Sequence, residues 1–166
     1  MKMLLGLMAL SFAAAAVAQS GNPDQAFFDK AAHGGIAEVA AGKLAETKGS
    51  SADVKEFGAM MVKDHGKAND KLKALAAKKS VTLPADTDAT HKAALKKLDG
   101  LSGDAFDKAY IAEMVEGHEV TAELLKYEID SGADADAKAF AKEILPTVKS
   151  HLEKIRGIAK KHGVER

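Results

Sequence analysis

The chain has 166 residues, 46% of them apolar and 5% aromatic, with 24 basic and 24 acidic side chains and no cysteine. That length suits one domain with a sizeable core, and the abundance of Ala makes the expected core thin and closely packed. Balanced charge leaves no basic excess to neutralise phosphates and argues against nucleic acid as a partner, while the absence of Cys excludes disulfides, zinc ribbons, iron–sulfur clusters and thiol catalysis.

Residues 1–18 read as a secretory signal peptide. Lys2 supplies the positive start, Met3 to Val17 is almost wholly apolar or small, and Ala16-Val17-Ala18 is an Ala-x-Ala cleavage site. The stretch is too short and too weakly flanked for a spanning helix. Cleavage after Ala18 leaves residues 19–166 as the domain. No Cys follows to carry a lipid, and no later segment has an apolar run long enough to be transmembrane. The expected destination is export, into a bacterial periplasm for this style of signal.

Ser20 or Asn22 offers a cap and Pro23 suits a first turn. A first long helix follows from about Asp24 to Lys48. Gly49-Ser50-Ser51 ends it, and Ser51 is expected to cap a second long helix that runs to about Lys79. The second helix has a seam of Val54, Met61, His65, Ala68, Leu72 and Leu75 at three-four spacing. Residues 81–86 break the pattern, and a short helix from about Thr87 to Leu98 crosses to the next long element. A third long helix, capped by Ser102 or Asp104, runs to about Asp130 with seam Ile111, Met114, His118, Ala122, Leu125 and Ile129. A fourth runs from about Asp134 to Lys161 along Phe140, Ile144, Val148, His151, Ile155 and Ile158, with Pro146 inside it as an expected bend.

Strand-forming residues never gather into an alternating run, so the expectation is all-α. The chain also echoes itself. Phe28-Asp29-Lys30-Ala31 matches Phe106-Asp107-Lys108-Ala109, and Ala52-Asp53-Val54-Lys55-Glu56-Phe57 parallels Ala135-Asp136-Ala137-Lys138-Ala139-Phe140. Two such hairpins joined by a short crossover helix make a ferritin-like four-helix bundle.

Each of three predicted seams carries a histidine: His65, His118 and His151. Burying an imidazole costs a few kcal/mol unless its nitrogens are satisfied. One seam histidine reads most simply as a core residue bonded to a carboxylate or carbonyl. Three on converging helices form a cluster that an apolar core does not keep without a metal or several protons. On the first helix, Glu38 shares a face with Phe27, Ala31, Gly34, Ala41 and Ala45, a face lined mostly by small residues that let neighbouring helices approach. The expected ligand set is therefore Glu38, His65, His118 and His151, which suits zinc, iron or copper and poorly suits magnesium or calcium. Met61 and Met114 lie one turn before His65 and His118; they would favour copper as thioether ligands, but read first as core filler. Asp64 reads as a solvated residue rather than an orienting acceptor, because neighbours on a helix point about 100° apart. His33, His91 and His162 read as surface histidines.

The segments Ala37-Glu38-Val39, Val62-Lys63-Asp64-His65, Ser102-Gly103-Asp104-Ala105-Phe106-Asp107, Met114-Val115-Glu116-Gly117-His118 and Leu145-Pro146 with His151 carry a resemblance. The chain resembles the exported bacterial family named domain of unknown function 4142, whose members are often labelled outer membrane proteins. The resemblance implies a ferritin-like helical bundle in the periplasm with no agreed activity. No β-barrel pattern or lipid anchor accompanies it. Di-iron bundles place Glu three residues before His on two helices. Here those positions are Val62, Val115 and Val148, so the expected site is mononuclear. The leading expectation is a non-enzymatic periplasmic metal binder in metal handling or stress response. A structural or interaction bundle with pH-sensitive core histidines stands beside it, as does a metalloenzyme of unknown reaction. A homo-oligomer is compatible with all three.

Overall fold

The computed structural model describes residues 24–164; the signal-peptide reading of residues 1–18 and the cap expected at Ser20 or Asn22 lie outside them. The described chain folds into five helices: α1 (Gln25–Lys48), α2 (Ala52–Lys79), α3 (Ala89–Asp99), α4 (Gly103–Ser131) and α5 (Ala135–Lys161). The architecture is all-helical, two long hairpins with a short crossover helix, as the seams predict. α1 packs along α2 and α4 along α5, the hairpins meet through α1 with α4 and α2 with α5, and α3 lies against α1 and α4.

Boundaries shift only at the caps. α3 begins at Ala89 because Asp88 caps it, accepting the His91 amide at 2.9 Å. Thr87, expected inside the helix, is buried and donates its hydroxyl to the His33 carbonyl at 2.8 Å. Ser51 stands at the N-cap of α2 without making a side-chain cap. Its amide and that of Ser50 donate instead to Asp107, at the start of α4, each at 2.9 Å. The opposite end of the bundle mirrors this. Asp24, just before α1, takes the amide of Ala133 at 3.0 Å and that of Asp134 at 2.5 Å, in the α4–α5 turn. Each hairpin's turn is thus clamped by a carboxylate from the other hairpin, and α1 and α4 run antiparallel. α5 continues through Pro146, which leaves the Lys142 carbonyl without its usual helical donor.

α1 and α2 touch backbone to backbone. A Cβ on Gly42 would lie 2.7 Å from the Gly58 carbonyl, and a Cβ on Gly58 would lie 2.7 Å from the Gly42 carbonyl. The close approach expected from the small face of α1 is therefore made at Gly42, while Gly34 looks onto open space.

The core divides into two apolar clusters. One gathers Phe57, Met61, Phe106, Tyr110, Ile111, Met114 and Ile155. The other gathers Phe27, Phe28, Leu72, Leu125, Phe140 and Val148. Each fully buried large side chain stabilises the fold by roughly 1.5–3 kcal/mol, so two such clusters hold the helices in register. Met61 and Met114 belong to the first cluster, as their reading as core filler expects. Along α2, α4 and α5 the histidines fall where one cluster gives way to the other, and along α1 so does Glu38.

Candidate metal centre

Four long helices each send one polar side chain into this layer. Glu38 is 6% exposed, His65 5%, His118 0% and His151 3%. The three imidazoles form a near-equilateral triangle, with ring centroids 5.4 Å apart for His65–His118 and His65–His151 and 5.5 Å for His118–His151. One ring nitrogen from each lies within 4.8 Å of the others. That is somewhat wider than the ~3.5 Å between nitrogens bound at about 2.0–2.1 Å to one zinc-like ion. Phe57 closes one side, its ring 6.1 Å from His118 and 6.3 Å from His151.

Each ring has one nitrogen on a different acceptor. His65 Nδ1 lies 2.7 Å from Glu38 Oε2. His118 Nδ1 donates to the Met114 carbonyl at 2.8 Å. A carbonyl only accepts, so this nitrogen carries the proton and, in the neutral ring, Nε2 carries the lone pair. His151 Nε2 lies 3.2 Å from Asp64 Oδ2. The opposite nitrogens, His65 Nε2, His118 Nε2 and His151 Nδ1, are buried with no hydrogen-bond partner. One nitrogen anchored by an acceptor and the other left bare is how metal-binding histidines are commonly held. Orphaned buried nitrogens are rare, and three together call for an occupant.

Charge within the layer is uneven. Burial would raise the Glu38 carboxyl, but the neighbouring His65 and its hydrogen bond, with His118 and His151 behind, bring it down to about 2. Burial would lower His65, but Glu38 and Asp64 outweigh it and raise the ring above its usual value. His118 lies below its usual value, held there by burial against the pull of Glu38. His151 falls to about 4, also by burial first, with Asp64 opposing. Charge in the layer therefore gathers on the Glu38–His65 pair, while His118 and His151 favour the neutral ring.

Two of these residues differ from the sequence reading. Asp64 is not a free solvated residue: the turn that carries it away from His65 aims it at α5, where it meets His151. Glu38 faces inward, as expected, but its nearest contact is the Nδ1 of His65, and its Oε1, 3.7 Å from His118 Nδ1, accepts no hydrogen bond. The Met114 carbonyl is a backbone group that no residue motif reveals. Phe57 carries an aromatic signal indistinguishable from ordinary core. The remaining histidines lie apart: His33 donates to the Asp86 carbonyl at 3.0 Å, His91 pairs with Asp88 at 2.9 Å, and His162 pairs with Asp53 at 3.1 Å.

Two sizeable clefts approach the layer. A polar one of about 210 Å³ between α2 and α5 ends on His65 and His151, with Asp64, Lys71, Glu143 and Thr147 around it. Lys71 and Glu143 form an ion pair across its mouth. A larger one of about 470 Å³, between α1, α3 and α4, ends on Glu38. No helix among the described residues is long and apolar enough to cross a membrane.

Two solved structures share this fold. A DUF305 fragment from Deinococcus radiodurans superposes with a TM-score of 0.75 at 10% identity, over 85% of this chain and 97% of that one. A candidate secreted DUF305 protein from Streptomyces coelicolor superposes with a TM-score of 0.72 at 15% identity, over 87% of this chain and 97% of that one. At such identities the likeness is one of fold. No curated protein matches the chain. Residues 9–158 match the family model described as a domain of unknown function (DUF4142), and the chain belongs to that family.

Proposed function

We propose that this protein is an exported, ferritin-like bundle that binds a single transition-metal ion, zinc, iron or copper, between His65, His118 and His151. The observation that carries the proposal is the trio of buried ring nitrogens without partners, on three rings that each offer one nitrogen within 4.8 Å of the others. Such donors suit those metals and leave a fourth position for water or another ligand. Glu38 completes the set by holding His65 and balancing the cation's charge, and Asp64 does the same for His151. The absence of Glu three residues before any of the histidines keeps the reading mononuclear and turns it from oxygen chemistry toward metal handling. Export rests on the signal-like residues 1–18 and agrees with the secreted description of one structural relative.

The test is metal analysis of protein purified without a histidine tag, after incubation with each ion and desalting. About one equivalent bound by the wild-type chain, and none by His118→Ala, is the expected result. Metal content near zero in both overturns the reading. A stability profile that changes between about pH 5 and pH 7 and ignores chelators would then favour a purely structural histidine core.

A further inference from the structure

The cleft on the other side of Glu38 is unlike the polar route between α2 and α5. It exists because side chains are missing. Gly34 on α1 and Gly117 on α4 both line it, and a Cβ built on either meets nothing within 4 Å. These glycines do not serve close packing, as Gly42 and Gly58 do; they leave space. At about 470 Å³ the space falls in the range of small-molecule sites.

Its walls are apolar where a surface is expected to be polar. Val120 is 63% exposed and Tyr127 69% exposed. Among the described residues these are the exposed large hydrophobic side chains, and both line this cleft beside Leu124. Single exposed apolar residues need no explanation, but two converging on a concavity mark a binding surface.

The acids on the cleft have partners of their own: Asp88 contacts the His91 ring, Glu123 is paired with Lys126 and Glu38 with His65. Lys30 lines the same cleft and has no ion-pair partner among the described residues. One lysine without an ion pair therefore stands beside an apolar wall that carries an aromatic ring.

We propose that this cleft binds a small aromatic carboxylate, with its ring against Val120, Leu124 and Tyr127 and its carboxylate on Lys30. The site needs no metal in the histidine layer, so it stands or falls apart from the metal reading. A neutral apolar molecule would leave Lys30 unanswered. A polyanion would meet Asp88 and Glu123 at the rim.

The experiment uses the mature chain labelled with nitrogen-15 and titrated with 3-phenylpropionate, with 3-phenylpropanol as the uncharged analogue. Amide shifts should gather on Gly34, Gly117, Thr121 and Leu124, and the carboxylate should bind at least about fivefold tighter than the alcohol, the worth of one exposed charge contact. Lys30→Glu should erase that preference, and Gly117→Leu should abolish binding by filling the cleft. Gly117→Leu should still fold, because leucine is the better helix former and its Cβ meets nothing; Gly34→Leu is a second filler on the opposite wall. Binding should be equal with and without a chelator. Scattered shifts, shifts centred on Asp64 and Thr147, equal affinity for the alcohol, or binding that survives both fillers would each overturn the proposal.

Discussion

Two buried glutamates on this fold behave in opposite ways. Glu38, 6% exposed in the middle of the bundle, is brought down to about 2. Glu128, 2% exposed near the end of α4, is pushed up to about 7. Burial pushes both upward. Glu38 has three imidazoles facing it, whereas Glu128 has the carboxylates of Asp24 and Asp134 nearby and only Lys138 to oppose them. One of its oxygens packs against Gly132 without a hydrogen bond. A buried carboxylate keeps its charge only where partners supply the opposite one. The histidine layer is therefore a place built to hold charge, and the α4 end is a place where a carboxyl group favours its protonated form.

The same substitution at these two positions separates them, and the largest effect is expected at Glu38. Glu38→Gln removes the buried carboxylate partner of His65, a loss of about 3–5 kcal/mol at pH 7, read from urea midpoints. Because the folded Glu38 pKa lies below its unfolded value, its contribution is present above about pH 4.5 and fades as pH falls toward about 2. The gap between wild type and variant should narrow over that window. Metal affinity in the same variant should fall about 10–100-fold through the loosened His65 ring, measured by competition with a chromophoric chelator.

Glu128→Gln should act with the opposite sign. The folded pKa lies above the unfolded one, so the wild-type protein loses stability as pH rises from about 4.5 through about 7. The glutamine variant should escape that loss and be more stable than wild type by roughly 2 kcal/mol at pH 8, with the advantage gone at pH 4. Metal affinity should not change. If both variants shifted stability in the same direction at pH 8, the contrast between the two regions would be wrong.

Asp64→Asn should give the smallest effect. Asp64 is partly exposed, and its hydrogen bond to His151 is the longest of the three outer contacts. Metal affinity should drop about tenfold and stability by less than about 1 kcal/mol. Nitrogen-15 imidazole spectra would show whether His151 loses its preferred tautomer while His118, held by a backbone carbonyl, keeps its own.

The bundle was legible in the sequence because its signals are local and repeated. The three-four spacing of Val54, Met61, His65 and Leu72, and its counterparts on α4 and α5, marks the buried faces. The Gly-Ser-Ser and Ser-Gly-Ala-Asp turns then leave antiparallel hairpins as the economical solution. The histidine triad followed, since each ring lies on a seam and the seams must meet. The outer acceptors did not. Asp64 serves a ring on another helix, Met114 serves through its backbone, and Asp107 and Asp24 cap turns more than 50 residues away. Such pairings depend on the relative rotation of packed helices, which periodicity along one helix does not contain. Gly34 was misread for the same reason. A small residue permits either close packing or an opening, and only the neighbouring helix decides which.

The crossed clamps carry a consequence for how the molecule comes apart. The α1–α2 turn is complete only when Asp107 is in place, and the α4–α5 turn only when Asp24 is. The two turns lie at opposite ends of the bundle, yet each depends on the docking of the same two hairpins. Fraying at one end therefore cannot begin without loosening the association that secures the other. The amides of Ser50, Ser51, Ala133 and Asp134, loop positions that ordinarily exchange quickly, should exchange with solvent deuterium only at the rate of whole-molecule opening. A chain nicked within residues 80–88 should stay together as a two-piece complex rather than release either hairpin.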